Sequence, residues 1–162
     1  RNARIPHALI VGGSLLHATE MLTTGLSTLQ WLHEIQTGEN GQFVPVGSDG
    51  WNPKGGVRAR YDQQPIEAYT MLDACVAAYH ATGNQDWHRK AQCAFDWFRG
   101  KNDPGKVLFN VFTGGCCDGL TPAAVNSNQG AESTIVWLLS LILMYERRSD
   151  GNGTGVASGS SS

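Results

Sequence analysis

The feature that most constrains the fold of this chain is a helix-start motif that occurs twice. Gln64-Pro65-Ile66-Glu67-Ala68 is matched by Gln129-Gly130-Ala131-Glu132-Ser133, at an offset of 65 residues. Each copy reads Gln-x-x-Glu with a small residue next, follows a polar loop and precedes an apolar stretch. Because such a recurrence is typical of repeated helical units, it predicts a polar site along one rim of a helical array.

Two further echoes define the repeating unit. His17-Ala18-Thr19 recurs as His80-Ala81-Thr82 at an offset of 63, and Leu29-Gln30-Trp31-Leu32 resembles Phe95-Asp96-Trp97-Phe98 at an offset of 66. The unit is helix, short turn, helix, long loop, so His17 and His80 are expected at equivalent turn positions. The first helix of each unit is the more uniformly apolar one, as an inner ring requires, and the second has a polar face suited to an outer ring.

Apolar residues at helical spacing predict five helices. The predicted spans begin at Pro6, after Thr19, at Pro65, at Gln85 and at Gly130, and end near Leu16, Thr37, Ala81, Gly100 and Arg147. The fifth is apolar nearly all round, which predicts deep burial. Residues 1–148 are expected to form the C-terminal part of one helical domain, and residues 149–162, rich in Gly and Ser, a flexible tail.

Composition excludes several classes of function. The chain has 162 residues, a net charge of −2 and no basic stripe, so nucleic acid is not an expected partner. No apolar run reaches the roughly 18 to 20 residues of a membrane span. Four cysteines are too few for a disulfide scaffold, and no Cys-x-x-Cys or His-x-x-x-His supports a zinc site. We expect a cytoplasmic setting, no metal and no cofactor, and the first residue, Arg rather than Met, leaves room for an upstream segment.

Polar residues near the predicted helix starts and in the two long loops form a candidate saccharide site. Carboxylates, amides and guanidinium groups hydrogen-bond to hydroxyls, while an aromatic ring can stack on the apolar face of a sugar. The helix starts also contribute Arg4 and Asn126, and the loops Asp49. The catalytic candidates are Asp62, Glu67, Glu132 and Asp118. The substrate-binding candidates are Trp51, Arg58, Arg60, Gln63, Gln64, Asn128, Gln129 and His7.

The positions of the four acids predict different roles. Glu67 and Glu132 lie in first helical turns, where the helix dipole favours the ionised form, so they suit a base, a nucleophile or a hydroxyl acceptor. Asp62 and Asp118 lie on loops and are freer to have the raised pKa that a general acid needs. The alternative is that both Gln-x-x-Glu motifs only cap helices.

Several motifs resemble toroid domains found C-terminal to bacterial glycosyltransferases. They are Arg4–Leu9, Gly47–Trp51, Asp62–Ala68, Gly114–Leu120 and Asn126–Ser133. The hairpin pattern likewise resembles the (α/α)6 toroid of many glycoside hydrolases and of N-acylglucosamine 2-epimerase-like proteins. The resemblance covers residues 4–147 and implies an all-α fold, a partial ring of about five helices with long loops on one rim.

The resemblance also implies a function and partners. It indicates a carbohydrate-active domain of a larger bacterial enzyme, glycosidase-like or glycosyltransferase-linked, that acts on or binds a saccharide. The alternative is a non-catalytic glycan-binding or domain-packing module. A complete toroid has six hairpins, and a partial one would expose the apolar sides of the first and fifth helices. We therefore expect a missing N-terminal toroid segment, a glycosyltransferase domain or self-association.

Overall fold

The five predicted helices are all present in a computed structural model that describes residues 2–50, 52, 54–122 and 124–152, with the side chains of the last helix described through residue 145. The elements are α1 (Arg4–Leu15), α2 (Thr19–Ile35), α3 (Pro65–Thr82), α4 (Gln85–Phe98), β1 (Gly119–Leu120), β2 (Val125–Asn126) and α5 (Ala131–Asn152). The fold is therefore mostly helical, as predicted. None of the helices in the described residues is long and apolar enough to cross a membrane.

Helix α3 is the centre of the packing. It contacts α1 on one side and α5 on the other, while α2 packs on α1 and α4 packs on α3. Apolar residues surround most of α3, so Met71, Leu72 and Cys75 are all fully buried. The result is a row α1–α3–α5 with α2 and α4 packed beside it, in which the odd-numbered helices carry the site-bearing N-termini.

The turns between paired helices correct one sequence equivalence. α3 begins with Pro65 at a position where its missing N–H costs nothing, and ends at Gly83, whose φ is 68°. His17, with φ 53°, occupies the corresponding turn between α1 and α2. His80 instead lies inside α3, so the prediction that His17 and His80 are equivalent turn residues is wrong. The His-Ala-Thr echo is out of step with the true turn, because α3 is longer than α1.

A small two-stranded sheet accompanies the helices and was not predicted from the sequence. β1 and β2 pair antiparallel, with Gly119 opposite Asn126. Such two-residue strands are too short to show an alternating pattern in sequence. Isolated bridges also follow α2 and α4: Thr37 pairs with Phe43, and Arg99 pairs with Val107. The repeat therefore extends from the helical hairpins into the first part of each long loop.

Helix α5 differs from its prediction at its surface and at its end. Val136, Trp137 and Ser140 are buried, but Ile135 and Ile142 among others are more than half exposed, so deep burial on all sides is wrong. No helix among the described residues covers the outer side of α5. The helix continues to Asn152, beyond the expected tail boundary at residue 149, and residues 153–162 of that tail lie outside the described residues.

Candidate functional site

Hydrogen bonds tie the starts of α1 and α3 to strand β1. The backbone N–H of Asn2 donates to Oε2 of Glu67 at 3.2 Å, and the Asn2 side-chain amide donates to the same oxygen at 3.4 Å. Two residues before α3, Gln63 exchanges two backbone hydrogen bonds with Leu120, at 3.0 and 2.9 Å. These bonds place the N-terminus of α1 and the loop that carries β1 on either side of the N-terminus of α3.

The carboxylate of Asp118 connects β1 to the start of α5. Its Oδ1 accepts from the Gly130 N–H at 2.9 Å and from the Ser133 hydroxyl at 2.6 Å, while Oδ2 accepts from the Asn128 amide. Asp118 thus caps a helix from which it is distant in sequence. Together with the contacts of α3, this cap brings the starts of α1, α3 and α5 to one rim, as the repeat predicts.

The same hydrogen bonds determine the protonation state of Asp118. The Ser133 hydroxyl, followed by the Asn128 amide and the Gly130 N–H, lowers the pKa of the Asp118 carboxyl below its ordinary value. All three donors favour the ionised form, and burial is too slight to reverse them. This lowered pKa is the opposite of the raised pKa that a general acid needs.

Gln63 lies in the interior rather than facing the rim. Its side chain is fully buried, where Oε1 accepts from the indole N–H of Trp97 at 2.8 Å and Nε2 donates to the carbonyl of Arg60 at 2.8 Å. These bonds hold the end of the long 38–61 loop against α4. Gln63 was predicted to bind substrate, but the structure gives it a supporting position behind the rim.

The two loop arginines make contacts within the protein. Arg60 Nε donates to Oδ2 of Asp103 at 2.8 Å, and Gln42 donates to the other oxygen of that carboxylate at 2.9 Å. Burial raises the pKa of the Asp103 carboxyl, but these hydrogen bonds lower it by more, so the pKa lies below its ordinary value. Arg58, which is partly buried, donates to the carbonyl of Val44 at 3.4 Å. Arg60 therefore fastens the first long loop to the second.

A separate polar cluster lies between α1 and α3. Arg4 Nη1 donates to Oδ2 of Asp73 at 2.8 Å, and Nε2 of His7 lies 3.9 Å from Oδ1 of the same carboxylate. The Arg4 guanidinium also lies over the ring of Tyr69, 5.2 Å from its centroid. His7 thus lies beside Asp73, which is one helical turn after Tyr69 and was not among the predicted site residues.

The remaining predicted residues lie near the surface. Gln64, Asn128, Gln129 and Glu132 are exposed, and Gln129 accepts a 3.4 Å hydrogen bond from the Thr113 hydroxyl. Glu67 is almost completely buried, in contrast with Glu132 at the matching position of α5. The two Gln-x-x-Glu motifs are therefore alike in helix position but different in environment. Trp51, the predicted sugar-stacking residue, lies outside the described residues.

An open cleft of about 480 Å³ lies between the first long loop and the β1–β2 turn. Its lining consists of Ser48, Asp49, Tyr61, Asp62, Thr121 and Pro122. Two carboxylates and one phenol ring therefore share a single cavity, with the β1–β2 turn as its far wall. Of these groups, only Asp49 and Asp62 were singled out from the sequence. A proline beside a threonine in a loop has no signal that would mark it as part of a cleft.

The backbone around Asp62 has an unusual conformation. Asp62 has φ 55°, in the left-handed region that is costly for residues other than glycine. Its Oδ2 accepts from the Ser48 hydroxyl at 2.6 Å, and its carbonyl accepts from the Ser48 N–H at 3.2 Å. Gly47 permits this approach, because a Cβ there would lie 1.7 Å from the carbonyl oxygen of Tyr61. Gly47, at the start of the Gly47–Gly50 turn, is therefore the sequence signal for this packing.

A second groove, of about 580 Å³, lies between α4, α5 and residues 109–114. In it the ring of Trp137 stacks between Phe109 and Phe95, with centroid distances of 4.3 and 5.6 Å. None of the residues predicted for the saccharide site lines this groove. Its lining includes the polar side chains of His88, Gln92, Arg99, Asn110 and Tyr145 but no Asp or Glu, so it provides no counterpart to the carboxylates of the cleft.

The cysteines and possible metal ligands contribute no further centre to the described part of the chain. Burial raises the pKa of the Cys116 thiol to about 12, and burial also raises the pKa of Cys117. Both thiols are therefore protonated near neutral pH, which does not suit a nucleophile. Over the described residues, His, Cys, Asp and Glu side chains form no group of three or more that could hold a metal ion.

A scan against models of known protein families finds no match, and a search of curated proteins finds no similar sequence. The function must therefore be inferred from the geometry of the chain's own residues, above all from the cleft at Asp49, Tyr61 and Asp62.

Proposed function

We propose that this chain is part of a carbohydrate-active domain and that the cleft at Asp49, Tyr61 and Asp62 binds a saccharide. The observation that carries the proposal is the meeting of two carboxylates and an aromatic ring in one open cavity beside the helix starts. Carboxylate oxygens accept hydrogen bonds from sugar hydroxyls, and the phenol ring offers both a stacking face and a hydroxyl. The cleft is open, as a site for an extended polar ligand requires.

The conformation of Asp62 supports its place at the centre of this site. A left-handed aspartate costs free energy, and such strain is concentrated at ligand-binding positions, where the surrounding structure maintains it. Two hydrogen bonds from Ser48 hold Asp62 in that conformation. We assign Asp62 the main hydroxyl-accepting role and Asp49 a second contact. Glu67, which accepts a hydrogen bond from Asn2 before α1, is the next acid along the chain after Asp62.

The wider setting that we propose is a partial (α/α) toroid within a larger bacterial enzyme, glycosidase-like or linked to a glycosyltransferase. Its support is the row α1–α3–α5, the paired helices α2 and α4, and the common rim of helix starts. All four cysteines are free thiols, which agrees with the proposed cytoplasmic location. The proposed chemistry uses carboxylates alone and requires neither a metal nor a cofactor.

The test is a calorimetric titration of the protein with a panel of oligosaccharides. The release of reducing sugar is measured in parallel. Asp62→Asn keeps the shape and tolerates the left-handed backbone but removes the negative charge. We expect it to weaken binding at least about tenfold, as for the loss of a charged hydrogen bond. Asp86→Asn, a change of a partly exposed acid on α4 that does not line the cleft, is the matched control. Equal affinity of Asp62→Asn and the unmodified protein would exclude the cleft as the site.

A second candidate function is a non-catalytic glycan-binding or domain-packing module. It is favoured by the internal use of three predicted site residues: Gln63 bonds to Trp97, Arg60 to Asp103, and Asp118 caps α5. Side chains with such contacts within the protein stabilise the rim and need take no part in a reaction. Binding of an oligosaccharide with no release of reducing sugar and no transfer would support this module over the enzyme.

A further inference from the structure

The charged groups that line the cleft at Asp49, Tyr61 and Asp62 all have the same sign. Two carboxylates line it together with the hydroxyl groups of Ser48, Tyr61 and Thr121, and among the described residues no Lys, Arg or His lines it. A cleft lined by one sign of charge raises the local concentration of ions of the opposite sign. The lining therefore favours a ligand with a positive charge and disfavours one with a negative charge.

The arginines that come shortly before Asp62 in sequence do not neutralise the cleft. Arg60 donates to Oδ2 of Asp103 at 2.8 Å, and Arg58 donates to the carbonyl of Val44 at 3.4 Å. Neither guanidinium group lines the cleft. The positive charges of this loop are therefore directed to other parts of the protein, and the two carboxylates remain for a ligand.

Both carboxylates of the cleft have room for further hydrogen bonds. Asp49 is exposed, and Asp62 is half-buried with one hydrogen bond from the Ser48 hydroxyl to its Oδ2 at 2.6 Å. A carboxylate offers about four acceptor sites, whereas an ammonium group has three donors and no acceptor. Hydrogen bonds between an ammonium and a carboxylate are about twice as strong as neutral ones. An ammonium group is thus the best match to this pair of acids.

We propose that the cleft is selective for saccharides that carry free amino groups, such as oligomers of glucosamine. This substrate class is assigned to the same cleft and so rests on the proposed function. The hydroxyl groups of Ser48, Tyr61 and Thr121 bind the sugar hydroxyls, and the carboxylates bind the ammonium group. A neutral sugar lacks the charged hydrogen bonds, and a uronate would bring a further negative charge beside Asp49 and Asp62.

The experiment is a calorimetric titration with three β-1,4-linked tetrasaccharides that differ only at the second carbon. They are the oligomers of glucosamine, N-acetylglucosamine and glucose, and a tetramer of galacturonate is the acidic ligand. At pH 6 the amino groups of the sugar are largely protonated. We expect the glucosamine oligomer to bind at least about tenfold more tightly than the glucose oligomer, as for a gained hydrogen bond to a charged group. The galacturonate tetramer should bind most weakly.

Salt and one substitution test whether charge causes this preference. Raising NaCl from about 0.05 M to about 0.5 M should weaken binding of the glucosamine oligomer and leave the glucose oligomer within about twofold. Asp49→Asn keeps the side-chain size but removes an exposed charge, so the ratio of the two affinities should fall about two- to fivefold. Asp86→Asn, which changes an acid outside the cleft, should leave the ratio unchanged. Circular dichroism establishes that both variants are folded.

Three results would overturn the assignment of this substrate class. They are equal affinity for the glucosamine and glucose oligomers, an unchanged ratio in Asp49→Asn, and competition by ethanolamine as effective as that by the glucosamine oligomer. The last result would mean that the cleft binds any amine without recognising the sugar. Binding of other oligosaccharides that Asp62→Asn weakens, without a preference for glucosamine, contradicts this substrate class only. If no oligosaccharide binds, the proposed function itself is contradicted.

Discussion

The indole N–H of Trp97 donates a 2.8 Å hydrogen bond to Oε1 of Gln63, and both side chains are fully buried. Gln63→Ala would leave that N–H and the Arg60 carbonyl without their side-chain partner and would open a small cavity. Because a buried polar group that loses its partner costs about 1–3 kcal/mol, we expect the free energy of unfolding to fall by about 2–3 kcal/mol. Urea unfolding followed by fluorescence measures the loss.

The adjacent residue supplies the control for this prediction. Gln64 is exposed and its side chain does not cap α3, so Gln64→Ala should change the free energy of unfolding by no more than about 0.5 kcal/mol. If the two alanine variants were equally stable, the buried hydrogen bonds of Gln63 would not be important for stability.

Replacing Asp118 should reveal its cap on α5 and the pH dependence of that cap. Asp118→Ala removes the acceptor for Gly130 N–H and the Ser133 hydroxyl, and loss of a cap costs about 0.5–2 kcal/mol. Folding lowers the pKa of Asp118, so its stabilisation is complete above the unfolded value of about 3.9 and is lost as the pH falls through the folded value. Urea unfolding at several pH values should therefore show the stability difference from the unmodified protein shrinking in acid. A constant difference from pH 7 to pH 2 would contradict this role.

A glycine in place of His17 should stabilise the protein. His17 has φ 53° in the turn where the next hairpin has Gly83, and a left-handed residue other than glycine costs about 1–2 kcal/mol. We expect His17→Gly to raise the free energy of unfolding by about 1 kcal/mol, measured by thermal and urea unfolding. Gly83→Ala is the reciprocal variant and should lower it by a similar amount. If the His17→Gly variant were less stable than the unmodified protein, the imidazole side chain would stabilise the fold by more than its backbone conformation costs.

The same turn shows what the sequence could and could not predict about the fold. Apolar periodicity, Pro65 and the Gly83 turn are local signals, and they predicted the five helices correctly. The register of the repeat is not local, because α3 is longer than α1 and the His-Ala-Thr echo spans unequal positions. The two-residue strands were missed for a related reason: their pairing depends on partners across a loop.

The candidate site shows the same limit more strongly. That the helix starts share a rim followed from the repeat, and the structure brings them together as predicted. The use of each polar side chain did not follow, since Gln63 meets Trp97 and Arg60 meets Asp103 through contacts between distant segments. Asp118 was expected on a loop with a pKa free to be raised, whereas its carboxylate accepts hydrogen bonds from Gly130 and Ser133 at the start of the next helix.

The cysteines should react slowly with alkylating reagents in the folded protein. Burial raises the pKa of Cys116 to about 12 and raises the pKa of Cys75 and Cys117 as well, so little thiolate exists at pH 8. Mass spectrometry after treatment with iodoacetamide should show little labelling of Cys75 and Cys116 without denaturant and full labelling in guanidinium. Rapid labelling of Cys116 at pH 8 would indicate a reactive site that the fold does not predict.

Substitutions at Asp62 should separate the requirements of the backbone from those of the ligand. With φ 55°, position 62 favours glycine over alanine, so Asp62→Gly should be more stable than Asp62→Ala by about 1–2 kcal/mol. Both variants lose the carboxylate that Ser48 holds at 2.6 Å, so both should lose saccharide affinity equally. Urea unfolding and calorimetric titration of the same two proteins measure the two effects. Equal stability would show that the left-handed backbone relaxes without cost, and retained affinity in either variant would show that the saccharide does not contact the Asp62 carboxylate.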